Sequence, residues 1–387
     1  MDFTAQTVRT VAPQQITQGK LPPRLRFVWV EEWMSMLAAE VLPYLARHHD
    51  VYYVTAGDQI PDAEFVRVVR TKRRPSINLS GFELSREVNR LYRDGLIDVA
   101  LVWASIGFGI DRVPFINLEG TSVYAEIELF AARVPAWKRV KFLTGLAHYA
   151  LPEMVCNRRA AKTIVPSETL KQDILRLHGL PDDRVVVVPH GVEAAHLELF
   201  GEKPANLRPR LLFVGRLHFR KGLLPVLQEF MRRRDINAEF IIAGDGPQRD
   251  EIERFAAVDA RIKFVGQVDR RQLARLLRDT NVFVFPTFYE GFGLALTEAM
   301  ASGHACVSYD IGIVQEILGD SGILVPLGDA VALIREVAVL VKSPDTIDDY
   351  AIRAHKRVRQ FSWDEACRSI EKIICNTVEE KRLPANL

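Results

Sequence analysis

The feature that most restricts this chain is a rhythm. Short apolar runs alternate with longer stretches whose apolar residues recur every three or four positions. The series runs once, breaks at a polar segment, and starts again. In the first pass the runs 25–30, 51–54, 65–69, 98–103, 114–118, 163–166 and 184–188 read as strands. Between them, 31–48, 82–93, most of 124–157 and 168–178 read as helices, with Pro43 expected to kink or split the first and Ser167 capping the last. In the second pass 211–214, 239–243, 262–265, 282–285, 305–309 and 322–325 are strands, with helices read over 223–234, 248–258, 271–278 and 294–301 between the first five and over 330–341 and 347–360 after the last. Strand–helix–strand at this spacing gives parallel sheets covered on both faces, so the fold class is α/β with two consecutive doubly wound units.

At 387 residues the chain exceeds one ordinary core. The expected organisation is a flexible polar leader (1–20), a first Rossmann-like domain (21–200), a linker (201–209), a second Rossmann-like domain (210–362) and a C-terminal helix (363–387). The leader lacks the apolar stretch of a secretory signal. No run is long and apolar enough to span a membrane. Cys156, Cys306, Cys367 and Cys375 have no metal-binding or C-x-x-C spacing, so they read as thiols in a reducing, cytoplasmic setting. A net charge of +2 gives no electrostatic reason to expect nucleic acid as a partner.

Sites in doubly wound sheets gather at the carboxyl ends of strands. The stretch 281–310 has that form. A buried strand ends at Pro286, a loop carries Glu290, Gly291, Phe292 and Gly293, and a helix beginning at Leu294 carries Glu298. Such a loop offers free backbone N–H groups and the positive end of a helix dipole to an anion. The first strand of the second unit ends in Gly215-Arg216-Leu217-His218-Phe219-Arg220-Lys221-Gly222, where Arg216 and Lys221 can clamp a diphosphate. It is not the G-x-x-x-x-G-K-[ST] phosphate loop. Taken singly, each motif is equally a set of solvated charges. Together they come from strand ends of one α/β unit.

These residues resemble the retaining glycosyltransferases of family 4. The resemblance rests on the G-R…K-G of 215–222, the Gly244-Asp245-Gly246-Pro247 turn, the run 286–293, the two acids Glu290 and Glu298, and Gly322-Ile323-Leu324-Val325, in that order. Pro189-His190-Gly191-Val192 and Phe361-Ser362-Trp363 match as well. The resemblance is dense over 210–363 and thin before 165. It implies a GT-B fold, two Rossmann-like domains facing a central cleft, with the C-terminal helix crossing back to the first domain. It further implies a metal-independent hexosyltransferase that moves a sugar from a UDP- or GDP-linked donor to a glycan or lipid-linked acceptor with retention, in cell-surface polysaccharide or glycolipid synthesis. No cofactor and no metal are implied, and there is no Asp-x-Asp motif. Arg216 and Lys221 would hold the diphosphate, Glu298 the ribose, Glu290 the transferred sugar, and the backbone of 292–294 sugar and phosphate. Val265, Gly266 and Gln267 would border the base.

The first half departs from the family pattern. Glu31-Glu32-Trp33 stands where many relatives carry a glycine-rich loop, and Glu119 where many carry a histidine. Glu119, His190 and His218 are candidates for the cleft. The segment 133–159 interleaves cations with aromatics and suits either an anionic bilayer at the inner membrane face or ordinary packing on the first domain. Two alternatives remain: a phosphorylase or synthase on the same scaffold, and a dinucleotide-dependent oxidoreductase. The latter calls for G-x-G-x-x-G after a first strand, which neither Val30-Glu31-Glu32 nor Gly215-Arg216-Leu217 provides.

Overall fold

The structure is a computed structural model. It describes residues 24–382 apart from 64, 75–76, 131–135 and 205–207, without the side chains of 77–78, 136–147 and 381–382. The expected leader and part of the expected linker lie outside the described residues.

Seven strands form the first sheet: β1 (Arg26–Glu31), β2 (Asp50–Thr55), β3 (Val66–Arg70), β4 (Val99–Trp103), β5 (Phe115–Leu118), β6 (Lys162–Val165) and β7 (Val185–Val187). Their order is β3-β2-β1-β4-β5-β6-β7, and every pair is parallel. The helices of this half are α1 (Met36–Ala46), α2 (Ile77–Arg93), α3 (Val123–Phe130), α4 (Ala136–Arg159), α5 (Glu168–His178) and α6 (Ala194–Glu198). The second sheet holds β8 (Arg210–Val214), β9 (Glu239–Ala243), β10 (Ile262–Gly266), β11 (Val282–Phe285), β12 (Ala305–Tyr309) and β13 (Ile323–Val325), ordered β10-β9-β8-β11-β12-β13 and again parallel throughout. Its helices are α7 (Leu223–Arg232), α8 (Arg249–Val258), α9 (Arg270–Asp279), α10 (Leu294–Ala301), α11 (Gly312–Leu318), α12 (Ala330–Leu340) and α13 (Pro344–Val358). The last helix, α14 (Trp363–Arg382), returns to the first half. Its Ala366, Cys367, Ile370, Ile374 and Val378 share a core with Leu37, Val41 and Leu45 of α1.

Central strands such as β11, buried at all four positions, are continuous apolar runs because helices cover both faces of a parallel sheet. Edge strand β3 is instead half exposed.

The expected elements are present, with these differences. The first helix begins at Met36, not at 31. Glu31 remains in β1, and the Ser35 hydroxyl accepts the Ala38 N–H at 3.0 Å as the N-cap. Pro43 does not split α1, whose Val41, Leu42 and Leu45 are wholly buried. Helix α2 starts five residues earlier than the pattern suggests, at Ile77 rather than 82. The stretch 124–157 is two helices, and Arg184 sits in a turn ahead of β7.

Candidate active site

Both sheets turn their carboxyl ends toward a cavity of about 430 Å³. Its first wall comes from the start of α1 (Ser35, Met36, Leu37), the end of β4 (Trp103, Ala104) and the loop after β5 (Glu119, Gly120, Thr121). Its second wall comes from Lys221, from Phe285 at the end of β11, and from 290–295. His190 lies on the chain leading out of the first sheet and lines the cavity as well.

Lys221 and Glu290 come from loops after different strands, β8 and β11. They meet as an ion pair, Nζ to Oε1, with side chains 15% and 10% exposed. Thr287 Oγ1 lies 3.2 Å from the same Glu290 oxygen. The Lys221 ammonium also stands 5.9 Å from the Phe285 ring centroid. Gly293 caps α10 with φ 97°, a conformation that disfavours any side chain. Leu294 and Ala295, the first residues of α10, line the cavity, and N–H groups at these positions have no partner within a helix. The wall thus offers one cation, one acid and a helix N-terminus.

The loop after β8 is fixed by the turn after β9. Leu217 N donates to Asp245 O at 2.9 Å, and Gln248 N to Leu217 O at 3.0 Å. A Cβ on Gly244 would lie 1.9 Å from Gly215 O, so the two turns pack backbone to backbone. Arg216 is exposed beside this junction, and its guanidinium has no partner among the described residues. His218 does not line the cavity. It caps the single turn 219–221, accepting the Arg220 N–H at 3.3 Å, and burial followed by the charges of Arg220, Arg216 and Lys221 lowers its pKa.

Glu298 sits one turn along α10, outside the cavity lining. Burial, then the negative charge of Glu193, pushes its carboxyl up to about 7, against the pull of Arg270. Val265 is exposed, Gly266 ends β10 and accepts the Gly244 N–H at 2.8 Å, and Gln267 is exposed beyond it. These three rim the second sheet away from the cavity. His190 stacks on Trp363 at 5.7 Å and leans on Phe292 at 5.1 Å. Burial brings its imidazole down to about 4, so it is neutral at ordinary pH.

Several contributors have no signature in the sequence. The Ser122 N–H donates to Tyr289 OH at 2.9 Å, and Ser167 Oγ donates to Gly291 O at 2.9 Å, so the first half grips the loop that carries Glu290 at two points. A Cβ on Gly291 would lie 1.5 Å from Gly120 O, which makes the smallest residue obligatory at this meeting point. Thr121 and Trp103 line the cavity from the first half. The only textual signal for them is position at a strand end.

Glu31 and Glu32 are buried. Glu31 Oε1 accepts from Ser35 N at 3.1 Å and from Tyr53 OH at 2.9 Å, and burial raises its pKa. The N-terminus of α1 is therefore already occupied by a carboxyl of the chain itself.

Residues 34–196 match the model of glycosyltransferase family 4, and residues 208–343 that of the group 1 glycosyl transferases. Glycogen synthase of Mycobacterium tuberculosis is 28% identical over 235 residues, 59% of this chain and 57% of that protein. Phosphatidyl-myo-inositol mannosyltransferase of Mycolicibacterium smegmatis is 30% identical over 199 residues, 49% of this chain and 51% of that protein. The chain thus spans little more than half the length of these relatives. The structure of sucrose-phosphate synthase from Thermosynechococcus elongatus superposes with a TM-score of 0.72 at 19% identity, over 92% of this chain and 100% of that one. The two matched spans together take in well over half of the residues, and the chain belongs to the family 4, group 1 glycosyltransferases, built on the GT-B fold.

Proposed function

We propose that this protein transfers a hexosyl group from a UDP- or GDP-linked sugar to a glycan or lipid-linked acceptor, with retention and without a metal ion, in the synthesis of surface polysaccharide or glycolipid. The observation that carries the reading is the meeting of Lys221 and Glu290 beside the N-terminus of α10, in a cavity between the two sheets. Lys221 is held by Glu290. An incoming diphosphate competes for its ammonium and frees the Glu290 carboxylate to take a sugar hydroxyl. The bond from the anomeric carbon to the phosphate oxygen breaks with its electron pair leaving on that oxygen. Arg216, Lys221 and the first N–H groups of α10 stabilise the charge that develops there. The acceptor oxygen forms the new bond on the same face and passes its proton to the departing phosphate. Glu298 takes the ribose hydroxyls, and 265–267 border the base.

The test is nucleotide release from a panel of UDP-, GDP- and ADP-sugars. Turnover with at least one donor is expected, falling about 10²- to 10³-fold in Arg216→Ala and Lys221→Ala, the usual cost of one lost transition-state donor. No turnover and no binding with any donor would overturn the reading. Unchanged activity in both variants would overturn the site assignment.

Contact of 133–159 with an anionic bilayer at the inner membrane face belongs to the same proposal. Tyr149 is exposed there, whereas Arg158 is spent on the His178 carbonyl at 3.2 Å. The side chains of 136–147, and residues 133–135, lie outside the described residues. Among the described residues no helix is long and apolar enough to cross a membrane, so attachment would be at the surface. Flotation with phosphatidylglycerol vesicles, but not with phosphatidylcholine vesicles, is the expected result.

A further inference from the structure

Glu119 is 3% exposed at the end of β5, yet it lines the cavity that holds Lys221 and Glu290. Its Oε1 accepts from Asn117 Nδ2 at 3.0 Å and from Asn157 Nδ2 at 3.1 Å. Asn117 Nδ2 also reaches Asn157 Oδ1 at 2.9 Å, and Thr163 Oγ1 reaches that oxygen at 3.0 Å. All three partners are buried. The network turns its amide donors toward Glu119 even though Asn117 Oδ1 is left buried without a partner. Glu119 Oε2 has no hydrogen bond among the described residues. A carboxyl with one oxygen clamped and one unengaged, in a cavity wall, is the arrangement of a ligand-reading group. A purely structural link would do as well with glutamine, which avoids burying an ionisable group.

The neighbourhood limits what Glu119 can read. Gly120 abuts Gly291, so the loop of Glu119 and the loop of Glu290 are locked together and open on the same space. The ionisable groups around Glu119 are Glu153 and Cys156 on α4, with Lys221, Glu290 and His190 elsewhere in the cavity wall. His190 is neutral and Lys221 is matched by Glu290, so Glu119, once ionised, is negative charge that the other lining residues do not offset.

We propose that Glu119 is a specificity-determining carboxyl: its unengaged oxygen takes a hydroxyl or amino group of the transferred sugar, and its charge turns away sugars that carry a carboxylate there, with Asn117 and Asn157 as its positioning residues. The inference rests on the reading of the cavity as a nucleotide-sugar site. Burial, then the charge of Glu153, raises the Glu119 pKa well above the ordinary carboxylate range. Two carboxyls can share a proton at low pH but not at high pH, so discrimination against an anionic sugar strengthens as pH rises.

The experiment is calorimetric titration of the full chain with matched pairs, UDP-glucose against UDP-glucuronate and GDP-mannose against GDP-mannuronate, with UDP and GDP alone as controls. At about pH 8.5 the wild type is expected to favour the neutral sugar of its preferred nucleotide by at least about tenfold, since juxtaposed like charges cost more than that ratio requires. The ratio should be larger at about pH 8.5 than at about pH 6. In Glu119→Gln it should shrink to about threefold or less and lose its pH dependence, while binding of the nucleotide alone stays as in the wild type. Glu119→Asp keeps the charge and should keep the discrimination, at weaker affinity. A wild-type ratio retained in Glu119→Gln overturns the inference and leaves the site reading intact. A wild type that binds none of these compounds overturns the site reading and the inference with it.

Discussion

Arg216 and Lys221 lie on one loop in opposite states, so their loss should separate in measurement. Arg216 is exposed and has no partner among the described residues, and Arg216→Ala should lower nucleotide affinity while leaving thermal unfolding unchanged. Lys221→Ala strands Glu290, whose side chain is 10% exposed, and should also destabilise the protein by about 1–3 kcal/mol, the cost of leaving a buried polar group without its partner. Glu298 gives a prediction with an unusual sign. The folded protein holds its proton up to about pH 7, while the unfolded chain releases it near the ordinary 4.5. Between those values the folded state carries more protons, so the contribution of this residue to stability falls as pH rises. Glu298→Gln should therefore stabilise the empty protein, the gain growing from about pH 4.5, levelling off above about pH 7 and reaching about 3 kcal/mol in denaturant titrations at stepped pH. The same variant should bind nucleotide about tenfold less tightly, through loss of a charged hydrogen bond. Glu298, expected at the same site as Lys221, lies outside the cavity lining, whereas the place of Lys221 at the cavity was legible in the sequence because it follows a strand end. The hold of Asn157 on Glu119 was not, because their 38-residue separation closes only when β5 and β6 pair.

At the scale of elements, two glycines on the loops of the second sheet do different work. Gly291 needs space: a Cβ there would meet Gly120 O at 1.5 Å. Gly266 needs conformation: its φ is 72° but its surroundings are open. Gly266→Ala should cost about 1–2 kcal/mol of stability, the penalty of a left-handed alanine, and spare the fold. Gly291→Ala should abolish sugar transfer, because backbone cannot yield as a side chain can, and its unfolding midpoint should drop further than that of Gly266→Ala. Paired melting curves and activity assays check both. Strands were readable because a sheet covered on both faces demands unbroken apolar runs. The start of α1 was misplaced for a local reason. Met34 continues the helical spacing, but the Ser35 cap and the burial of Glu31 in β1 begin the helix later. Pro43 does not split α1 because the proline penalty is intrinsic, whereas α1 is held by the burial of its inner face.

Across the whole molecule, the halves are joined by contacts scattered far apart in sequence. Arg220 pairs with Glu126, and the Glu316 carboxylate of α11 accepts from Glu168 N at 2.9 Å, from Thr169 N at 2.6 Å and from the Thr169 hydroxyl. Glu316 thereby caps α5 from the opposite half. Glu316→Ala should cost about 1 kcal/mol as a lost cap. It should also raise the radius of gyration in small-angle scattering of the empty protein, with KM for the donor rising more than kcat falls. None of this was readable in the text, since a cap supplied from 147 residues away leaves no local motif.

The return of α14 to the first half means that the backbone passes between the halves twice, once on the way out of β7 and once ahead of Trp363. The two passages touch. Val192 N donates to Phe361 O at 3.1 Å, and a Cβ on Gly191 would lie 2.1 Å from Trp363 N. Two separated tethers would fix an axis like the pins of a door, whereas two fastened side by side behave as a single knuckle. Relative movement of the halves then reduces to turning about the neighbourhood of His190, the residue stacked against Trp363 and also part of the cavity wall. A ligand pressing on that imidazole acts at almost no leverage.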